Sequence, residues 1–279
     1  MLRRLKVFTI FLVIVLSMVD SFSAFGGTLP ITNPLKAKLK AGKPVFGAFV
    51  TIPSAKVVEN LAVPGKLDFV WIEAEHTEFG PREVQDLTIA AENEGLTSIV
   101  RVPTNDRDQI KKFVGTGVLG VIVANISSAD DARKAIANLK YPPLGCRTVG
   151  PERGNRYLAH FKEYLEAAND QIMVILMIET PQAIAEIDQI VRLPGIDVLH
   201  IGLGDLSLSL GAAMDSPKVR EAVAKVESAA RGAGIPLGGP LPELKKLDEK
   251  LKAGYRFFTI PGDMEILQQG VSRFFTPGS

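Results

Sequence analysis

Four side chains of this 279-residue chain stand where an apolar run gives out: His76, Arg101, Glu179 and Asp205. The first closes Phe69-Val-Trp-Ile-Glu-Ala-Glu-His76, in which apolar residues meet two acids and a histidine. Ser98-Ile-Val ends at Arg101, and Ile172 to Ile178 ends at Glu179. Val198 to Ile201 passes through Gly202-Leu203-Gly204 into Asp205. Continuous apolar runs bounded by polar residues are the mark of strands buried on both faces, as in parallel sheets. An α/β barrel keeps its chemistry at the carboxyl ends of such strands. One histidine, one arginine and two carboxylates then meet at one mouth.

The chemistry follows from the residue types. Glu179 and Asp205 are hard oxygen ligands on successive strands. Two carboxylates plus waters and substrate oxygens suit Mg²⁺ or Mn²⁺, with Co²⁺ as a further choice. No Cys/His cluster offers a zinc site. Taken singly, Glu179 reads as a cap on the helix opening at Pro181, and Asp205 as a cap on the turn before Leu206. Taken as a pair at neighbouring strand ends, they read as metal ligands. Gly202, Leu203 and Gly204 precede Asp205, and glycines there let backbone N–H groups approach a bound anion. Arg101 can clamp a planar carboxylate through two parallel hydrogen bonds, or pair with an acid of the mouth such as Glu73. Histidine is the side chain best suited to moving a proton near neutral pH, which makes His76 the candidate acid/base, the alternative being a solvated loop histidine. His160 falls in a surface helix, and His200 inside a strand belongs to the core.

Eight strand-like runs position these groups: Val45–Thr51, Leu67–Ile72, Ser98–Val102, Leu119–Val123, Ile172–Ile178, Asp197–Ile201, Ile235–Gly238 and Arg256–Ile260. Helical stretches separate them. Ser128 with Asp131 resembles a capping box. Pro181 suits the first turn of one helix carrying Ile184, Ile187 and Ile190, and Pro217 opens another. Gly195 and Gly234 have the place of helix C-caps. About 250 residues with this alternation match one TIM (β/α)8 barrel over residues 24–279. A longer excursion spans residues 141–171, and no internal repeat or second domain is evident.

Residues 1–23 carry Arg3, Arg4 and Lys6, an apolar run from Val7 to Val19, and then Ser21, Ser23 and Ala24. That order is a secretory signal, with cleavage expected near residues 23–27 and an exported product. The run is short for a membrane span. The formal net charge is +1, and removing the leader leaves it near zero. Nothing electrostatic calls for nucleic acid or a membrane surface as partner. Cys146 is the single cysteine, so an internal disulfide is impossible, and it reads as structural and buried.

The segments Asp68-Phe-Val-Trp-Ile-Glu-Ala-Glu-His76, Val100-Arg-Val-Pro103, Tyr141-Pro-Pro-Leu-Gly-Cys-Arg147, Ile178-Glu-Thr180 and Pro194 through Ser207 occur in this order. Together they resemble the HpcH/HpaI aldolases, metal-dependent pyruvate aldolases, over about residues 40–265. The resemblance implies a TIM barrel, a homo-oligomer that is usually a hexamer with exchanged C-terminal helices, and a small 2-oxo acid substrate. It implies Glu179 and Asp205 as metal ligands, Arg101 on the enolate oxygen, and His76 as acid/base. The chain also departs from the pattern. Glu73 stands where the family usually has Asp, and Ala124-Asn125 where strand 4 usually ends with Pro. Gly115 stands where the family has the Asp that pairs with the catalytic histidine.

The expected activity is retro-aldol cleavage of a 4-hydroxy-2-oxo acid to pyruvate or a related 2-oxo acid and an aldehyde. The contrasting expectation, fed by Gly115, is an exported 2-oxo-acid-binding protein that turns little over. No lysine ends a strand in a Schiff-base position, which argues against imine chemistry.

Overall fold

All eight apolar runs form strands, and the strands close on themselves. The computed structural model describes residues 31–159 and 161–276, so the leader and His160 lie outside the described residues. In chain order the first half comprises α1 (Pro34–Lys40), β1 (Val45–Val50), α2 (Ala55–Ala62), β2 (Phe69–Glu73), α3 (Pro81–Asn93), β3 (Thr97–Val102), α4 (Arg107–Gly115), β4 (Gly120–Ile126) and α5 (Ala129–Leu139). The second comprises α6 (Phe161–Gln171), β5 (Met173–Ile178), α7 (Pro181–Ala185), α8 (Ile187–Ile190), β6 (Val198–Ile201), α9 (Leu203–Leu210), α10 (Pro217–Ala233), β7 (Leu237–Pro240), α11 (Leu247–Ala253), β8 (Tyr255–Ile260) and α12 (Asp263–Phe274). Every neighbouring pair is parallel, and β8 pairs with β1. This is the TIM (β/α)8 barrel.

Alternate residues point inward and fill the barrel. Phe69, Trp71, Ile99, Ile122, Met173, Ile175, Met177, Val198 and Phe257 form one interior cluster. Phe69 stacks on Phe257 at 4.3 Å between ring centroids. Gly47 on the intervening strand makes room for this, since a Cβ there would lie 2.3 Å from the Phe69 ring. Helix α1 closes the amino-terminal end, sending Leu35 and Leu39 into the interior cluster. Asn33 fixes it there: its Nδ2 donates to the carbonyls of Leu119 and Gln171, both at 2.8 Å. With that end sealed, the carboxyl-terminal mouth is where side chains can meet solvent.

The capping expectations hold in part. The Ser128 hydroxyl accepts the Asp131 N–H at 3.0 Å, while the Asp131 carboxylate accepts from Ser127. Gly234 is the left-handed C-cap of α10. Gly195 is also left-handed but ends no helix, because α8 stops at Val191. The single helix expected from Pro181 is two short ones that break at Glu186. There the Glu186 carboxylate accepts the Ala129 N–H at 2.8 Å.

Cys146 is exposed, against the expectation of a buried thiol. The buried place in that excursion goes to Arg147, whose guanidinium lies 4.6 Å from the Tyr141 ring and 5.8 Å from the Tyr164 ring. It pairs with Glu152 at 2.9 Å.

Candidate active site

The mouth is built from β2 to β6. Glu73 ends β2 and Arg101 stands opposite it in register on β3. Both are buried, and Arg101 Nε donates to Glu73 Oε2 at 2.6 Å. Glu73 is saturated. Its Oε2 also accepts the Trp71 indole N–H at 3.1 Å, and its Oε1 accepts the N–H groups of Glu75 and His76 at 2.8 and 3.0 Å. A carboxylate with four donors has no capacity left to act as a base, so its work is to hold Arg101 and the turn after β2 together. The pairing of Arg101 with a mouth acid is therefore present. Its Nη1 approaches Met177 Sδ at 3.7 Å, on the barrel side.

His76 stands at the rim with 63% of its side chain exposed. Its Nε2 lies 3.7 Å from Glu75 Oε2, which is also 3.1 Å from Arg101 Nε. Burial pushes the Glu75 carboxyl above the usual carboxylate range, and Arg101 opposes that shift. Gly115 is elsewhere. It ends α4, which runs back from the mouth towards the start of β4. A Cβ on Gly115 would meet the Glu152 side chain at 3.1 Å. Within one chain, position 115 does not address His76, and the carboxylate nearest the imidazole is Glu75.

Glu179 follows β5 and is 2% exposed. Its Oε1 accepts the Asn125 N–H at 2.7 Å, whereas its buried Oε2 has no hydrogen-bond partner. Burial raises its pKa, and Asp205 and Glu75 push in the same direction. Gly202 stands beside it for a steric reason: a Cβ there would lie 2.3 Å from Glu179 Oε2. Asp205 lies exposed in the first turn of α9, which begins at Leu203. A Cβ on Gly204 would meet nothing within 4 Å, so the backbone of that turn is open. The N–H groups of its first turn have no acceptor within the helix and no side-chain cap, an arrangement suited to receiving an anion. Among the described residues, no group of three or more His, Cys, Asp or Glu side chains is placed to hold a metal. A two-carboxylate site fits the cations that keep most of their waters. The unpartnered buried oxygen of Glu179 fits such an ion, which would satisfy it and offset its repulsion from Asp205.

His200 is not part of the mouth. It lies inside the barrel, edge-on to Trp71 at 5.0 Å. Lys140, whose pKa burial lowers to about 8, donates to the carbonyls of Asn169 and Ile172 near the start of β5. It is at the wrong end of the barrel to form an imine with a substrate at the mouth. The sequence offers no role for Asn125, and offers Glu75 only alongside Glu73, as the two acids of the same loop that could replace the carboxylate missing at Gly115. The departure Ala124-Asn125 from the usual strand end was the available signal.

The family model for "HpcH/HpaI aldolase/citrate lyase" matches residues 46–268. A hydroxypyruvate/pyruvate aldolase of Paraburkholderia phytofirmans is 33% identical over 245 residues, covering 84% of this chain and 92% of that protein. A 4-hydroxy-2-oxo-heptane-1,7-dioate aldolase of Shigella flexneri is 33% identical over 244 residues, covering 84% and 89%. The crystal structure of an HpcH/HpaI aldolase/citrate lyase family protein from Burkholderia cenocepacia superposes with a TM-score of 0.82 at 29% identity, over 87% of this chain and 98% of that one.

Proposed function

The chain belongs to the HpcH/HpaI aldolase/citrate lyase family, and from that premise we propose a divalent-metal-dependent aldolase. It cleaves a 4-hydroxy-2-oxo acid to pyruvate or a related 2-oxo acid and an aldehyde. One observation carries the metal half: the buried, unpartnered Oε2 of Glu179 beside Asp205, at the mouth that also holds Arg101. Glu179 and Asp205 would hold Mg²⁺, Mn²⁺ or Co²⁺, which supplies Lewis acidity at the oxygens of the 2-oxo acid. The substrate carboxylate lies against the open turn Gly202-Leu203-Gly204. His76 takes the proton of the C4 hydroxyl, the C3–C4 bond breaks, and its electron pair passes to C3 as the enolate of the 2-oxo acid. Arg101, oriented by Glu73, shares the charge on the enolate oxygen. Return of a proton to C3 releases the 2-oxo acid.

The test is retro-aldol cleavage of 4-hydroxy-2-oxo acids, with pyruvate detection, before and after chelation. Cleavage lost on chelation and restored by Mg²⁺ or Mn²⁺ is the expected result. Pyruvate binding without cleavage by the metal-loaded protein would leave the exported 2-oxo-acid binder as the better reading.

Two further proposals concern the form of the protein. Helix α12 is anchored at its start, where the buried Asp263 accepts from the N–H groups of Thr51 and Ile52, both at 2.8 Å. Beyond that it exposes Met264, Leu267, Val271, Phe274 and Phe275. An uncovered apolar face supports a homo-oligomer built on that helix. The basic, apolar, small-residue order of residues 1–23 supports export after cleavage near residues 23–27. Among the described residues, no helix is long and apolar enough to cross a membrane. Native mass spectrometry of protein from its own cell checks both points. Subunits lacking the leader, assembled into a multimer, are expected; an intact N-terminus sinks the export proposal and a monomer sinks the other.

A further inference from the structure

Asn125 has a left-handed backbone, with φ +56°. It lies in β4 where the pairing with β5 slips between Val123 and Ile126. Few residues other than glycine adopt this conformation, and asparagine is among those that tolerate it. Such backbone persists where its surroundings over-determine it, and it concentrates at functional sites. Here one residue spans two carboxylates. Its N–H donates to Glu179 Oε1 at 2.7 Å, and its Nδ2 donates to Glu75 Oε1 at 3.0 Å.

The second bond determines what Glu75 can do. With Oε1 held by the amide, Oε2 faces Arg101 Nε at 3.1 Å and His76 Nε2 at 3.7 Å. A carboxylate beside an imidazole selects its tautomer and stabilises its protonated form. Position 115 supplies no such group to His76 within the chain, because its surroundings are Glu152. We propose that Asn125 is a positioning residue that orients Glu75 as the carboxylate partner of His76, while its backbone N–H holds Glu179. The proposal deepens the aldolase reading and rests on it for its kinetic arm.

Asn125→Gly isolates the amide. Glycine adopts the left-handed conformation without strain and keeps the N–H that serves Glu179. The variant is expected to fold and to bind the 2-oxo acid with an unchanged KM. Its kcat should fall about 10–100-fold, the usual cost of losing an outer orienting group. Glu75→Gln keeps an acceptor for Asn125 and loses the charge, and a drop of similar size is expected. Because Asn125 acts through Glu75, the double variant should be no slower than Glu75→Gln alone. Losses that multiply, or an undiminished kcat in Asn125→Gly, would overturn the proposal. A second arm needs no turnover. In the ¹⁵N-histidine-labelled full chain, the His76 signals are identified by their loss in His76→Gln. Both Asn125→Gly and Glu75→Gln should move those ring-nitrogen shifts. Signals coincident with the parent protein overturn the proposal whatever the assays show, whereas a parent protein that cleaves nothing counts against the aldolase reading alone.

Discussion

Glu179→Gln is expected to abolish chelator-sensitive retro-aldol cleavage and to remove the calorimetric signal of Mg²⁺ or Mn²⁺ binding, while leaving the fold intact. The substitution keeps the shape of the side chain. An amide oxygen in place of Oε1 still accepts the Asn125 N–H, now at 2.7 Å. An amide nitrogen in place of Oε2 is a buried donor in a place where the oxygen already lacks a partner, so it adds no new kind of penalty. The substitution also removes a buried charge, since burial first, and repulsion from Asp205 and Glu75 after it, raise the Glu179 pKa. The fold should therefore be as stable as the parent or more so. Catalysis should suffer in proportion to the Lewis-acid contribution, which is worth several kcal/mol, or about 10³-fold or more in kcat. The opposite signs of the two effects make the result diagnostic. An unchanged metal titration would show that Glu179 is a helix-entry residue and not a ligand.

The barrel was legible because most strands carry a short apolar run, and the shortness of those runs and their alternation with capped helical stretches select parallel strands buried on both faces. The bounds moved by up to three residues, in part where polar groups join a strand by pairing. Glu73 extends β2 because it faces Arg101 in register. β4 runs on to Ile126, past the expected end at Val123, because a slipped register re-admits the chain after Asn125. The break in the helix after Pro181 was not legible. Nothing local to Glu186 disfavours a helix, and the contact that accompanies the break comes from the start of α5. Cys146 misled for a related reason. A lone thiol is expected inside, but here the aromatic slot between Tyr141 and Tyr164 is filled by a guanidinium.

The site divides the same way. Residue types at strand ends picked out His76, Arg101, Glu179 and Asp205, and the fold brings Asp205 close enough to add to the burial that raises the Glu179 pKa. The partner of His76 was sought at position 115 by resemblance, and that position faces Glu152. The carboxylate at hand lies one residue away, but adjacency in sequence does not say where a side chain points. The orientation of Glu75 depends on an amide 50 residues later and on a backbone conformation that no periodicity encodes.

His200 carries the prediction with the largest effect on stability. Its side chain is packed inside the barrel among Trp71 and Phe257, and neither ring nitrogen has a hydrogen-bond partner. Burial first, and the nearby Arg101 charge second, lower its pKa from 6.5 to about 3. Between those values the unfolded chain binds a proton that the native chain refuses, so stability rises with pH across that window. His200 therefore costs nothing through protonation above pH 6.5. It progressively destabilises the fold as the pH falls towards 3, by a total on the order of 4 kcal/mol. That is a large share of the 5–15 kcal/mol typical of a folded domain. His200→Leu removes the titrating group and both unpartnered nitrogens at roughly constant volume. At pH 7 the variant should match or exceed the parent, since an unsatisfied buried polar group costs about 1–3 kcal/mol. Its advantage should then widen steadily as the pH is lowered from 6.5 to 4.5. Urea unfolding at four or five pH values in that range measures the difference directly, with His76→Gln as a control at an exposed histidine. Parallel stability curves for the parent and His200→Leu would mean that His200 takes up its proton in the native state, which places a partner for it inside the barrel.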